Sequence, residues 1–370
     1  MSTYVKEIIQ YLEKSFPLSL QESYDNSGLI CGRMDQEVQG VLLCLDSLEA
    51  TVDEAIAKNC QLIIAHHPII FKGLKKITGN SYVERVIEKC IRHGISLYAI
   101  HTNLDNHING VNGEIANRIG LKNRRILRPM TNQLYKLVVF VPKNSLSKLD
   151  SALFQIGVGS IGNYSECHFR TEGIGTFMPN ELANPSIGTK NIREEVAEFR
   201  VEYLVPKPLI GIALRTLFEA NPYEEVSHEI YPIENQDQRL GAGMIGELPL
   251  EMDALSFLKS LKTTFNCQVI RHTQVLSKPI KTVALCGGSG SFLLTDAIRS
   301  KADIFITGDF KYHEFFDAES HLIIADIGHF ESEQFTEQFT PQLLAEKLKE
   351  KFTKFAVHLT DLNTNPINYL

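Results

Sequence analysis

The chain has 370 residues, of which 44% are hydrophobic and 22% charged, so it has the composition of a globular protein with room for two or three folded domains. Its 37 basic and 44 acidic residues leave a formal net charge of −7, which argues against a general nucleic-acid or anionic-membrane binder. The seven cysteines form no CxxC pair, and this odd, scattered set predicts reduced thiols in a cytoplasmic protein.

The N-terminal third predicts an α/β fold. Apolar residues among the first 16 fall at helical spacing with charges interspersed, so we expect an amphipathic helix there, not a signal peptide or a membrane span. The apolar run VLLCLD at 41–46 predicts a buried strand. Helix and strand patterns then alternate, in the order helix 51–59, strand 61–67, helix 81–94 and strand 95–101. This alternation is typical of an α/β sheet.

The pattern changes near residue 131. Over 134–233 the order is strand, helix, strand, strand, helix, strand, which is the order of a ferredoxin-like α+β unit. The α/β pattern returns after about residue 236, with strands predicted at 282–286, 303–309 and 321–329 and a C-terminal helix beginning near Glu331. We therefore expect a core made of 1–130 and 236–370, interrupted by an inserted domain at 131–235.

Histidines follow three of the predicted strands directly. His66 and His67 end the strand QLIIAHH, His101 ends ISLYAIH, and His329 follows HLIIADIG. Ligands of open α/β sheets gather at the carboxyl ends of the strands. We therefore expect these imidazoles to meet at one edge of the sheet.

Two carboxylates accompany these histidines. Asp105 lies four residues after His101, and Glu333 lies four after His329, a spacing that puts both groups of a pair on one helical face. Mixed imidazole and carboxylate ligands suit Zn, Mn, Fe or Ni better than Ca or Mg. Adjacent side chains on a regular strand point to opposite faces, so His66 and His67 require a turn or two ions. The sequence therefore predicts two metal ions about 3.5–4 Å apart. The five predicted ligands are His66, His67, Asp105, His329 and Glu333.

Each of these signals also has a purely structural interpretation. A single histidine at a strand end is more often a surface or hydrogen-bonded residue than a ligand. The run CGGSGS at 286–291 is either a phosphate-binding loop or a tight turn between strand and helix, and the turn is favoured. Asp309 is expected to lie outside the direct ligands, and the roles of His107 and His313 stay open.

Six motifs together resemble the NIF-three-like family, which is catalogued as GTP cyclohydrolase 1 type 2 homologues. They are DNSGL, AHHPIIFKGLK (65–75), AIHTNLDNHINGVN (99–112), CGGSG (286–290), ITGDFKYHE (306–314) and DIGHFESE (326–333). The resemblance implies a two-metal site on the five predicted ligands, with zinc expected first and Mn, Fe or Ni as alternatives. It also places His101 beside that set, as a further ligand or an acid/base group.

The resemblance further implies a fold, an assembly and an activity. The fold is a split NIF-three-like core with central sheets flanked by helices, and the insert is similar to PII and CutA proteins. The assembly is a ring-shaped homohexamer in the cytoplasm. The activity is metal-dependent hydrolysis that opens the imidazole ring of guanine in a nucleotide, or an attack on a related phosphoester.

A different class of function is also open. The protein can instead be a non-catalytic, metal-dependent regulator or scaffold whose insert binds an effector or a partner. Direct binding to DNA is a weaker third alternative, because the net charge of −7 opposes it.

Overall fold

The structure is a computed structural model that describes residues 2–334, 352 and 356–370. The chain forms two compact units, one made of Met1–Pro129 with Gln238–Leu370 and the other of Met130–Asp237. Both units combine β-sheets with α-helices, so the prediction of a mixed α/β protein is confirmed.

Two sheets form the first unit, and we number all strands and helices along the chain. The first sheet has the strands β1 (Gly28–Cys31), β2 (Gly40–Cys44), β3 (Leu62–Ala65), β4 (Ser96–Ala99) and β15 (Ala356–Leu359). The second has β5 (Lys122–Pro129), β10 (Gly241–Met252), β11 (Arg271–His272), β12 (Ile280–Ser289), β13 (Ile304–Gly308) and β14 (Ile323–Asp326). The strand orders are β1-β4-β3-β2-β15 and β11-β14-β13-β12-β10-β5.

Each sheet contains a set of neighbouring parallel strands. Strands β15, β2, β3 and β4 run parallel in the first sheet, as do β12, β13 and β14 in the second. Parallel strands end at the same edge, so each sheet has one edge at which side chains from several loops can meet.

The helices of the first unit are short. They are α1 (Val5–Ser15), α2 (Glu49–Ala57), α3 (Tyr82–His93), α4 (Thr102–Asp105), α5 (Val111–Arg118), α8 (Ala254–Thr264), α9 (Leu294–Arg299) and α10 (His329–Glu333). Most bury apolar residues, whereas α10 buries the polar residues Glu331, Ser332 and Glu333. Helix α3 shows how the sequence fixes both ends. The hydroxyl of Ser81 accepts from the amide of Glu84 at the start, and Gly94 ends the helix in the left-handed conformation, where φ is 61°. Among the described residues, no helix is both long enough and apolar enough to cross a membrane.

The two sheets of the first unit share one hydrophobic core. Alternate residues of β2 divide between two clusters, since Val41 and Leu43 join the shared core while Leu42 and Cys44 pack on the other face with α2 and α3. The second sheet contributes Ile306 and its neighbours to the shared core. Burial on both faces explains why the parallel strands are continuous apolar runs rather than alternating ones.

The second unit is a four-stranded antiparallel sheet with two helices. Its elements are β6 (Leu134–Pro142), α6 (Leu146–Gln155), β7 (His168–Phe177), β8 (Glu194–Pro206), α7 (Ile210–Ala220) and β9 (His228–Pro232). The strand order is β7-β8-β6-β9. Val201, Tyr203 and Val205 face the helices from β8 and are fully buried, as the alternating pattern of this strand predicts.

Some elements differ from the prediction. Strands β5 and β10 were not predicted, because β5 has basic residues in its first half and β10 begins with glycines, and both features weaken a strand signal. Strand β12 continues through the glycines to Ser289. The turn into the following helix therefore begins after Ser289 and not at residue 286, where the favoured interpretation placed it. The C-terminal helix begins at His329, two residues before its predicted start. Its predicted continuation beyond 334 lies outside the described residues.

The shared core makes a stability prediction. Ile306 is 1% exposed, so Ile306→Ala removes buried methyl groups and leaves a cavity, and we expect a loss of roughly 2–5 kcal/mol in the free energy of unfolding. Urea denaturation measures the change. Ile91→Ala is the control, because Ile91 is 60% exposed on α3. Equal destabilisation by both variants would contradict the placement of the core.

Candidate metal centre

The predicted ligands come from the ends of two sheets and meet in the first unit. His66 and His67 follow β3 directly, and Asp105 is the last residue of α4, which follows β4. His329 and Glu333 are the first and last residues of α10, which follows β14 of the second sheet. The prediction of one sheet edge is therefore wrong. The carboxyl ends of two separate sheets supply the cluster.

Both adjacent histidines reach the cluster because the strand ends before them. Strand β3 stops at Ala65, and the chain bends at His66 and His67. Their ring centroids lie 4.9 Å apart with the ring planes at 49° to each other. The bend removes the alternation that would have sent the two imidazoles to opposite faces.

One group of donors is tight. Glu333 Oε2 lies 3.0 Å from His67 Nε2 and 3.0 Å from His329 Nε2, and the two imidazole nitrogens lie 3.4 Å apart. His329 and Glu333 are one helical turn apart on α10, so the expected i, i+4 pairing is what brings these two groups together.

A second group surrounds the other oxygen of the same carboxylate. His66 Nε2 lies 3.9 Å from Glu333 Oε1 and 3.6 Å from Asp105 Oδ1. Within the part of the chain that the structure describes, neither His66 Nε2 nor Asp105 Oδ1 has a hydrogen-bond partner, although both atoms are buried. Such orphaned buried polar atoms carry a desolvation cost that calls for an explanation.

Hydrogen bonds at Nδ1 fix the orientation of all four histidines. His66 Nδ1 donates to the carbonyl of Ile100 at 2.9 Å, which leaves Nε2 of the neutral ring with its lone pair facing the cluster. The other three partners are carboxylates, namely Asp46 for His67 (2.8 Å), Asp25 for His101 (2.8 Å) and Asp309 for His329 (2.6 Å). Metal-ligating histidines nearly always have such a partner on their other ring nitrogen.

These partners were largely missed by sequence reasoning. Asp46 ends the predicted strand VLLCLD at the same sheet edge as His66, and this position was the available signal. Its second oxygen accepts from the hydroxyl of Thr364 at 2.6 Å, so the C-terminal segment helps to hold it. Asp25 also lies outside the predicted ligand set, and it accepts hydrogen bonds from both His101 and the hydroxyl of Thr102. Asp309 reaches the cluster only through its hydrogen bond to His329, so it lies outside the direct donors, as expected.

The electrostatics of the cluster favour protonated imidazoles around Glu333. Burial lowers the pKa of His67, but hydrogen bonds to Asp46 and Glu333 outweigh it and raise that pKa to about 10. The charge of Glu333 raises the pKa of His329 to about 11, against burial and with help from Asp309. Burial raises the pKa of Glu333, but the facing imidazoles reverse this and hold it well below its ordinary value. Burial raises the pKa of Asp105 despite the charges of His66 and His101.

Gly288 leaves space for the central carboxylate. A Cβ atom on Gly288 would lie 2.4 Å from Glu333 Oε1, and the backbone there has φ of 60°, which other residues rarely adopt. The amide of Gly288 donates to the hydroxyl of Ser332, which in turn donates to the carbonyl of His329. The glycine run therefore allows β12 to pack closely against α10.

His101 lies beside the cluster. It forms a group with His66 and His67 in which one donor atom from each lies within 4.8 Å of the others. Its ring also contacts Phe71, with centroids 5.9 Å apart. His107 packs on Phe16 and His313 lies exposed near Tyr312, so neither belongs to the cluster.

A cavity of about 820 Å³ opens onto the donors. Four aromatic residues with exposed rings line it, namely Tyr24, Phe71, Tyr82 and Phe292. Its charged lining is acidic apart from the histidines, since it includes Asp46, Asp105 and Glu333 and no lysine or arginine among the described residues. The cavity therefore places exposed aromatic rings beside the donor cluster.

Comparisons with known proteins agree over nearly the full length. The family model of Duf34/NIF3 (NGG1p interacting factor 3) matches residues 3–366. A protein of Halalkalibacterium halodurans is 38% identical over 365 residues, which cover 98% of each chain, and one of Bacillus subtilis is 36% identical over 367 residues, which cover 99% of this chain and 98% of that protein. Both carry the name GTP cyclohydrolase 1 type 2 homolog. The crystal structure of a Bacillus cereus protein related to NIF3 superposes with a TM-score of 0.89 at 36% identity, covering 100% of both chains.

The hydrogen bond between Asp309 and His329 makes a prediction. Asp309→Asn removes one of the negative charges that hold the proton on His329, so we expect the pKa of His329 to fall from about 11 while staying above its ordinary value, because Glu333 remains. NMR titration of chelator-treated protein with labelled imidazoles measures this, with His329→Gln for assignment. Asp296→Asn is the control, since Asp296 pairs with Arg128 instead. An unchanged titration of His329 in Asp309→Asn would disprove the coupling.

Proposed function

The chain belongs to the Duf34/NIF3 family, and we propose that its histidine and carboxylate cluster holds two divalent metal ions and hydrolyses a guanine nucleotide. The observation that carries this proposal is the position of Glu333. Each of its carboxylate oxygens faces a different set of donors, Oε1 facing His66 and Asp105 and Oε2 facing His67 and His329. A carboxylate in this arrangement can bridge two cations.

The chemistry of the first set fits a cation better than it fits a hydrogen-bond network. The lone pair of His66 Nε2 and the oxygens of Asp105 and Glu333 are all acceptors when the ring is neutral and the acids are ionised. Their separations of 3.6 and 3.9 Å are too long for hydrogen bonds, and a cation between them would satisfy all three.

The proposed ligand sets follow from these distances. One ion would be held by His66, Asp105 and Glu333, and the other by His67, His329 and Glu333. Zinc suits this mixture of imidazole and carboxylate, and Mn, Fe or Ni are the alternatives. The hydrogen bonds from Asp46 and Asp309 would keep the imidazoles of the second set oriented toward the ion.

The ions and the residues around them would then have separate roles in the reaction. Bound divalent ions supply Lewis acidity and activation of water near neutral pH. His101, held at Nδ1 by Asp25, would accept or donate a proton through Nε2 at the cavity wall. The exposed rings of Tyr24, Phe71, Tyr82 and Phe292 would stack on a purine base, which is worth about 1–3 kcal/mol per stacked base.

The substrate class is supported by the relatives and by the cavity. The curated relatives are named for GTP cyclohydrolase. In that chemistry one water adds to C8 of guanine, the bond from C8 to N9 breaks, and a second water releases formate from the resulting formamide. An aromatic lining without lysine or arginine among the described residues favours binding through the base over binding through phosphates. Hydrolysis of a phosphoester is the second candidate reaction.

We further propose that residues 131–235 are an inserted ferredoxin-like domain of the PII/CutA type, between core segments 1–130 and 236–370. The support is the separate compact unit Met130–Asp237 and its strand order β7-β8-β6-β9 with two helices. A cytoplasmic homohexamer is the assembly that we propose, and analytical ultracentrifugation tests it.

Metal stoichiometry tests the site without reference to activity. We expect two zinc ions per chain, one ion in Asp105→Ala and one in His329→Ala, because each variant loses a ligand of a different ion. Glu333→Ala should weaken the binding of both ions, because Glu333 is a proposed ligand of each. Equilibrium dialysis followed by elemental analysis gives these numbers, and anomalous scattering assigns the positions.

The control for metal binding is His321→Ala, since His321 is exposed and lies outside the cluster. It should retain both ions. Wild-type protein that stays free of metal under saturating zinc and manganese would refute the site.

Release of formate from GTP tests the reaction. We expect zinc- or manganese-loaded protein to release formate, and His67→Ala or Glu333→Ala to abolish this because an ion is lost. His101→Ala should retain both ions and lose activity by roughly 10²–10⁴-fold, as expected for a general acid or base.

The products separate the two candidate reactions. Formate without phosphate supports attack on the base, and phosphate without formate supports the phosphoester alternative. A fully metal-loaded protein that turns over neither nucleotides nor phosphoesters would overturn the enzymatic proposal and favour the regulatory one.

A further inference from the structure

A second cavity, of about 510 Å³, lies within the unit Met130–Asp237. Its walls are the end of β7, the segment 178–187 and the segment 223–227. The lining is largely apolar, with Phe140, Phe177 and Met178 among its members. Its charged residues are all acidic, and no lysine, arginine or histidine lines it among the described residues.

The polar centre of this cavity is Glu198 on β8. It is only 7% exposed, yet within the described part of the chain it forms no ion pair with a basic residue. Its Oε1 accepts from the hydroxyl of Tyr223, and its Oε2 accepts no hydrogen bond from any described residue. The side chain is largely desolvated, yet Oε2 is not fully enclosed, so a donor that enters the cavity can reach it.

Two glycines on the neighbouring strand keep this carboxylate accessible. Gly173 of β7 lies directly opposite Glu198, and Gly175 lies two residues further along. A Cβ atom on Gly175 would lie 2.1 Å from Glu198 Oε2, whereas one on Gly173 would meet nothing within 4 Å. The two glycines therefore leave the β7 face beside Glu198 without side chains at positions 173 and 175, and the carboxylate occupies the space beside Gly175.

Two aromatic rings and a loop that is fixed by a hydrogen bond form the rest of the cavity wall. The rings of Phe177 and Tyr223 meet edge to face, with centroids 5.8 Å apart. Burial and the bond to Glu198 raise the pKa of Tyr223, so its hydroxyl stays a donor. Glu224 accepts from the amide of Asn184 at 2.7 Å, which ties the segment 178–187 to the opposite wall.

We propose that this cavity binds a small organic cation, an aromatic amidinium or amine whose N–H groups donate to Glu198 while its ring packs on Phe177 and Tyr223. The combination selects for positive charge, because an N–H donor satisfies Glu198 Oε2 and the aromatic faces attract a cation. Glu224 and Glu225, both exposed in the lining, add to the negative potential of the cavity. This site lies in a different unit from the proposed metal site and does not depend on it.

The test uses the full-length protein, metal-loaded, in isothermal titration calorimetry. The probes are benzamidine, its neutral analogue benzamide and the anion benzoate. We expect benzamidine to bind roughly tenfold or more tightly than benzamide, as for a hydrogen bond to a charged group, and benzoate not to bind. Equal binding of benzamidine and benzamide, or no binding of benzamidine at millimolar concentration, would overturn the proposal without any variant.

Variants then locate the binding. Glu198→Gln keeps the shape and the acceptor for Tyr223 but removes the charge, so it should weaken benzamidine binding about tenfold or more. Glu229→Gln is the matched control, because Glu229 lies exposed on β9 outside the cavity. Glu22→Gln must also leave binding intact, since Glu22 lines the acidic cavity of the first unit but is not a proposed metal ligand.

Phe177→Leu provides a second variant should Glu198→Gln fail to fold. Loss of the ring should weaken benzamidine several-fold and change benzamide less, because only the cation gains from the aromatic face. Binding that survives both cavity variants, or that is lost in Glu22→Gln, would refute the assignment.

Discussion

The carboxylate of Glu333 is the constraint on which the rest of the first unit depends. Its two oxygens face donors that belong to different sheets, with His66 and His67 from the first and His329 from the second. A charged group in this position must be compensated from both sides, because an uncompensated buried carboxylate costs several kcal/mol. The shared core between the sheets holds their carboxyl ends at the separation that makes this compensation possible.

The surroundings of the cluster restrict motion of each donor. Four imidazoles are each fixed at Nδ1, and α10 is tied to β12 through Ser332. Such preorganisation lowers the cost of bringing ligands to an ion, since their rotamers are already restricted in the folded chain. The cavity beside the cluster combines this polar floor with aromatic walls, an arrangement suited to a flat ring held over reactive groups.

The sequence was sufficient to identify the donor residues of the cluster. It was less informative about the strands and carboxylates that position them. His66, His67, Asp105, His329 and Glu333 were recognisable because imidazoles and carboxylates follow apolar strands at informative spacings, and the structure brings all five together. That they come from two sheets was not predictable, because a strand pattern does not state which strands pair over long sequence separations. Asp46 and Asp25 were missed for a similar reason. A carboxylate that binds the far side of an imidazole has no fixed spacing from it, since Asp46 lies 21 residues from His67 and Asp25 lies 76 from His101.

The wide separation of the donors along the chain bears on the order of events during synthesis. His67 and Glu333 are 266 residues apart, and Thr364, which holds Asp46, comes later still. Domains generally fold as units while the chain emerges from the ribosome, the N-terminal part first. The first sheet can begin to form early, but the complete donor set exists only after residue 333 has been made. An ion that needs all of these donors would therefore be bound late, after much of the first sheet has formed, and the full site would not guide the earlier stages of folding.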